Sequence, residues 1–196
     1  MSEPRVTPGT WREVGPLVAG FARLAGRVQG TEPPAVFLTL GRHRRLFWGW
    51  LHFAGRLMPG GRLGRRESEL VILRVASRRG SSYELTQHRR LGRRAGLRVD
   101  EIAAIEADAD HDGFTTRERL LLRATDELVA TQDLSDGCWG ELAAHFDERE
   151  RIEIVLLVGH YAMLATALHT LRVQPDAARR SRRSRSDRHE IGSATL

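Results

Sequence analysis

The chain has 196 residues, 41% hydrophobic and 29% charged, the balance of a single globular domain rather than a disordered or fibrous chain. Its net charge is +6, and every basic side chain other than histidine is an arginine, with no lysine anywhere. The lone Cys138 excludes an intramolecular disulfide, a Cys-rich zinc site and a Cys-x-x-Cys redox centre together.

Helical periodicity runs through the chain, and no stretch alternates at period two for long. Leu17, Phe21, Leu24 and Val28 form a first apolar stripe, ended by Gly30 and the Pro33-Pro34 pair. Phe47, Trp50, Leu51, Ala54, Leu57 and Met58 form a second, ended by Pro59 and two glycines. A third helix is predicted from about Arg65 to Arg79 and a fourth from about Ser82 to Ala95, each stopped by a glycine. Shorter helices are expected near 99–107 and 136–146, and a longer one over 116–131 between them. The last runs from about Glu148 to Val173, before Pro175.

Thr115-x-x-Glu118 and Asp147-x-x-Glu150 both read as capping boxes. The apolar run Ile154 to Leu168 holds Gly159 and His160 and is shorter than the ~20 residues a membrane span needs. It predicts a central buried helix or a subunit interface. Nothing at the N-terminus has the charged-then-apolar pattern of a signal peptide. The expectation is a soluble, cytoplasmic, all-α chain with one domain over 1–175. Residues 176–196 hold six arginines against three acids and predict a solvated, disordered tail. Such a tail can hold nucleic acid, but no aromatic is interleaved to stack on bases, so that partner is not expected.

The fourth helix carries the most informative pattern. Positions 81, 84, 88, 91 and 95 share one face, and that face turns from Leu91 and Ala95 to Ser81, Glu84 and His88. A polar end on a core-facing stripe is either a satisfied network or a site. Ser81-x-x-Glu84 also reads as a capping box, His88 as a structural histidine, and Glu69 as a surface partner of Arg65. Asp108-x-Asp110-x-Asp112-Gly113 begins like a calcium loop, but the twelfth position is Arg119, so a helix-capping acidic loop is expected. The eight histidines form no paired metal spacing, and no metal is predicted.

The stretch from Glu67 to His88 resembles the carboxymuconolactone decarboxylase family, which shares the alkylhydroperoxidase D-like helical fold. Glu69 and His88 keep the family's Glu-to-His spacing of 19. The two positions often held by Cys-x-x-Cys fall on Ser81 and Glu84, as in the branch lacking that pair. Tyr83-Glu84 matches the Tyr-Glu-Trp form of that branch, with Leu85 in place of Trp. Further likeness lies at Gly96-Leu97, at Asp100 to Ile102, at Thr116 to Leu120 and at Val158 to Leu164, so the resemblance covers about residues 8–175.

The resemblance implies an all-α, alkylhydroperoxidase D-like bundle, a homo-oligomer, and a small carboxylated substrate handled without metal or organic cofactor. Without the thiol pair, the peroxidase chemistry of the wider superfamily is disfavoured. It implies His88 as proton carrier, oriented by Glu69 or Glu84. Arg74, in an otherwise apolar helix, is a candidate clamp for a substrate carboxylate, with an exposed, snorkelling end as the other reading. Tyr83, Ser81, His160 and Tyr161 are candidate pocket walls or proton relays, with a satisfied core histidine as the favoured reading of His160.

Overall fold

A computed structural model describes residues 3–177. Most of the predicted tail, residues 178–196, lies outside the described residues.

Ten helices occur among them, and no strand. In chain order they are α1 (Trp11–Val14), α2 (Pro16–Gln29), α3 (Ala35–Leu40), α4 (Arg44–Leu57), α5 (Arg65–Arg78), α6 (Ser82–Arg94), α7 (Val99–Ala107), α8 (Thr116–Thr131), α9 (Asp136–His145) and α10 (Glu148–Leu171). The predicted all-α bundle is therefore observed, with two short helices, α1 and α3, that periodicity does not show. The Pro33-Pro34 pair that ends α2 also opens α3, with Pro34 at its N-cap. Both capping boxes form, at Thr115 with Glu118 and at Asp147 with Glu150.

α5 is the centre of the bundle. Every residue from Ser68 to Ala76 is buried, and α6, α7, α8 and α10 pack around it. Of the two places expected for the last helix, the centre of the bundle or a subunit interface, the first falls to α5 instead. α10 is long and apolar enough to cross a membrane by length and composition, yet it is packed against α5, α8, α4 and α9 on one side only. Ile152, Val155, Leu156 and Met163 remain exposed on the other.

Several charged residues at the core are paired across helices. Arg66 reaches Glu101 and Glu118, and Arg117 joins Glu67 to Glu150. The acidic 108–113 loop is likewise occupied by arginines. Asp108 pairs with Arg74 and Arg78, and Asp110 pairs with Arg119 itself.

A smaller cluster of Val14, Val18, Ala19 and Phe47 joins α1–α4, with Phe21, Phe37 and Trp50 against it. Here the apolar stripe on α2 points the other way. Leu17, Leu24 and Val28 are exposed, and Val18, Ala19, Ala22 and Gly26 face inward. Close approach decides this: a Cβ at Gly26 would lie 2.7 Å from the Glu32 carbonyl oxygen, so only small residues fit.

Candidate functional site

Glu69 lies mid-way along α5 and is fully buried. Across the α5–α6 contact, His88 places Nδ1 2.7 Å from Glu69 Oε2. The expected pairing with Arg65 is present, since Arg65 one turn earlier sits 2.7 Å from the other oxygen, Oε1, but Glu69 itself is buried and not a surface residue. That contact has ion-pair distance without hydrogen-bond alignment. Arg65 is 41% exposed, so the carboxylate's charge is compensated from the solvent side while the imidazole faces inward. With Glu69 accepting from Nδ1–H, the Nε2 of His88 is left to take or give a proton.

Glu84 lies one turn before His88 on α6. It is 2% exposed, and neither carboxyl oxygen has a hydrogen-bond partner of good geometry. Burial pushes its carboxyl up to about 7, against a smaller lowering by the Ser81 hydroxyl. Ser81 caps α6 without a side-chain cap bond, so Glu84 is not spent on a capping box.

Tyr161 from α10 closes the third side. Its ring meets His88 edge to face at 5.3 Å. Burial raises its phenol well above the ordinary range, and the nearby Glu69 and Glu84 carboxylates raise it further. The next residue, His160, meets Tyr161 edge-on at 5.1 Å and stacks on Trp50. Its Nδ1 has no partner, and burial pushes the imidazole down to about 4. The reading of His160 as a satisfied core histidine is therefore corrected.

Five of the eight predicted residues thus converge: Glu69, Glu84, His88, Tyr161 and His160, with Ser81 alongside Glu84. Two do not take the part assigned to them. Arg74 is 4% exposed, and its guanidinium is filled by Asp126 at 2.7 and 2.6 Å, by Asp108 and by the Ile105 carbonyl. It has no free edge for a substrate carboxylate and is not an exposed snorkelling end. Tyr83 donates its hydroxyl to Asp176 at 2.8 Å and accepts from the Val36 amide, so it anchors the end of the described chain and relays nothing to His88. Sequence reasoning missed the part of Trp50 and Phe53 in enclosing His160, since Trp50 reads as an ordinary stripe residue of α4 and Phe53 lies off that stripe. Cys138 lies on α9, 3% exposed, its thiol pushed up by burial. Among the described residues no group of three or more His, Cys, Asp or Glu side chains is placed to hold a metal ion.

Solved structures similar to this helical bundle share its fold. A peroxidase-related protein with the alkylhydroperoxidase AhpD core from Ralstonia eutropha is 16% identical at a TM-score of 0.76, over 89% of this chain and 94% of its own. A peroxidase-related protein from Silicibacter gives 18% and 0.75, over 89% and 95%. The debrominase Bmp8 gives 18% and 0.75, over 88% and 92%. Residues 44–127, from α4 into α8 and including Glu69, Glu84 and His88, match the model of the carboxymuconolactone decarboxylase family. No curated protein matches it.

Proposed function

We propose that the chain is a cofactor-independent lyase or isomerase that moves a proton on a small carboxylated lactone or enolisable acid. The observation that carries this is the buried Glu69–His88 pair, with an unpartnered Glu84 beside it. In a decarboxylation the bond from carbon to the carboxylate breaks and its electron pair passes into a conjugated carbonyl as an enolate. Carbon dioxide leaves, and the Nε2–H of a protonated His88 delivers the proton to carbon. In an isomerisation neutral His88 removes a C–H proton and returns it at the conjugated carbon. Glu69 keeps the ring in the orientation both steps need. Glu84, protonated up to about pH 7, offers an O–H to the developing enolate oxygen.

Two features favour this over the other chemistries of the fold. Ser81 and Glu84 stand where a thiol pair would stand, and Cys138 is on another helix. The chain holds no lysine, so no side-chain amine is present to form a Schiff base with a keto acid.

The test is proton NMR in deuterium oxide on a carboxylated γ-butenolide, following loss of the C–H signal and release of carbon dioxide. The wild-type chain should accelerate one or both. His88→Ala should lose about 10²–10⁴ in rate, and Glu69→Gln should lose less, because it disturbs orientation without removing the proton carrier. A folded His88→Ala protein turning over at the wild-type rate would overturn the reading.

A further inference from the structure

The outer face of α10 is an apolar surface that the chain's own packing leaves uncovered. From Ile154 to Leu171 there is no arginine, aspartate or glutamate, although 29% of the chain is charged. A helix face meant for water would carry charges there. Instead Ile152, Val155, Leu156 and Met163 are 39–54% exposed. Across an open hollow of about 940 Å³, Leu46 and Phe53 of α4 extend the patch. Those six side chains present on the order of 500 Å² of apolar surface, at the upper end of what a monomer exposes.

The pattern along α10 says what covers it. Gly159 stands at the middle of the exposed face. Val155 and Met163 lie four residues to either side of it, and Ile152 and Thr166 seven. The Thr166 hydroxyl is already spent on the Ala162 carbonyl at 3.0 Å. Reversing the helix about Gly159 therefore lays its exposed positions onto themselves, the self-complementarity that a two-fold contact between identical subunits requires. The ends match as well. An antiparallel copy brings the first turn of each helix, with Glu148, to the last turn of the other, with His169, and opposes their dipoles.

Gly159 itself has no use inside one chain. A Cβ there would meet nothing within 4 Å among the described residues, and the same holds for Gly49 on the α4 side of the hollow. A glycine within a helix costs about 1 kcal/mol relative to alanine. Close approach of a second backbone is what a bare Cα permits.

We propose that two copies of this chain pair through this face, α10 against α10, antiparallel and crossing at Gly159. Val155 of one protomer lies opposite Met163 of its partner, and Ile152 opposite Thr166. Leu46 and Phe53 flank the seam, and the hollow between α4 and α10 takes side chains of the opposing helix. The apolar patch is then the core of the ~800 Å² that each partner of a stable dimer buries.

The test is sedimentation of the full chain at micromolar concentration, with the 22.0 kDa chain as the unit of mass. The expected result is an assembly of an even number of chains. Gly159→Glu sets like charges together at the two-fold axis and should raise the Kd of the pair at least about 100-fold. Glutamate is the better helix former, so the circular dichroism spectrum should not change. Leu24→Glu, on the exposed stripe of α2, should leave the mass as it is. Register is read by Gly159→Cys in a Cys138→Ser background, where a short bis-maleimide should link two chains; Leu24→Cys in that background should give no linked pair. A wild-type chain that is monomeric or assembles in odd number overturns the proposal. So does Gly159→Glu at the wild-type mass, or Gly159→Cys that yields no linked pair.

Discussion

Glu84 and His160 titrate in opposite senses, and the pH dependence of stability carries both. In the unfolded chain Glu84 releases its proton near 4.5; in the folded chain it holds it to about 7. Between those values the native state binds more protons, so Glu84 lowers stability as pH rises through the window, and the loss is complete above it. His160 works the other way. The unfolded imidazole protonates below 6.5, the folded one only near 4, so stability falls as pH drops from 6.5 towards 4. The two slopes oppose each other where the windows overlap. Glu84→Gln removes the first alone. The variant should exceed wild type at pH 8 by at most about 3 kcal/mol, at ~1.4 kcal/mol per pKa unit, and the gain should vanish near pH 4.5. Urea unfolding at pH 4.5, 6 and 8 measures this. A pH-independent difference would show that Glu84 does not titrate in the window. Of this chemistry, the sequence shows the residue types and the 19-residue spacing. It does not show that Glu84 lacks a partner, because Ser81-x-x-Glu84 is equally a capping signal and only the folded geometry decides between the two.

At the scale of elements, helix boundaries are legible and the centre of the bundle is not. Gly80, Gly96 and the Thr115 and Asp147 boxes mark the ends of helices through local rules that packing does not override. α5 reads as an otherwise apolar helix carrying Glu69 and Arg74, and the structure buries both charges with the rest of 68–76. Those charges are cancelled by residues distant in sequence: His88, Asp108 and Asp126. α10 reads as the centre or as a subunit interface because its apolar residues outnumber what one face needs, and the structure leaves the excess exposed.

Arg74 is the clearest case of such cancellation. Arg74→Leu would remove the hydrogen bonds from Asp126, Asp108 and the Ile105 carbonyl. It should cost roughly 1–3 kcal/mol, since Asp108 and Asp126 keep only their bonds from Arg78 and the Ile105 carbonyl loses Arg74 as a donor. Adding Asp126→Leu should restore part of that loss. Denaturant unfolding of the single and double variants decides it. An Arg74→Leu protein of full stability but lost turnover would return Arg74 to the site.

For the whole molecule, the two ends of the described chain close on the same region. Arg5 and Val6 donate their amides to the Leu171 carbonyl, and the Glu32 amide reaches Ala177. Asp176, which composition assigns to the tail, gathers three donors: the Ala35 amide at 2.7 Å, the Tyr83 hydroxyl at 2.8 Å and the Gln87 side-chain amide at 2.7 Å. One carboxylate thereby ties the end of the described chain to α3 and α6. A composition shift cannot locate this, because composition does not show what the Asp176 carboxylate meets in space. Asp176→Ala should cost about 2–3 kcal/mol, since it leaves buried donors without an acceptor. Hydrogen exchange at the Ala35 amide should accelerate in that variant together with a fall in Tm. Unchanged protection at Ala35 would show that the anchor is dispensable.

The burial of Cys138 has a consequence of another kind. Its amide is held by the Ser135 cap at the start of α9, and its side chain faces the core where α9 meets α8. A water-borne disulfide reagent can reach the sulfur only in the moments when α9 lifts away. Because no second thiol competes, the labelling rate is a single-site clock for that excursion, and its ratio to the rate for an open cysteine gives the opening equilibrium. The residue that takes no part in the chemistry of the site thus counts how often the bundle breathes.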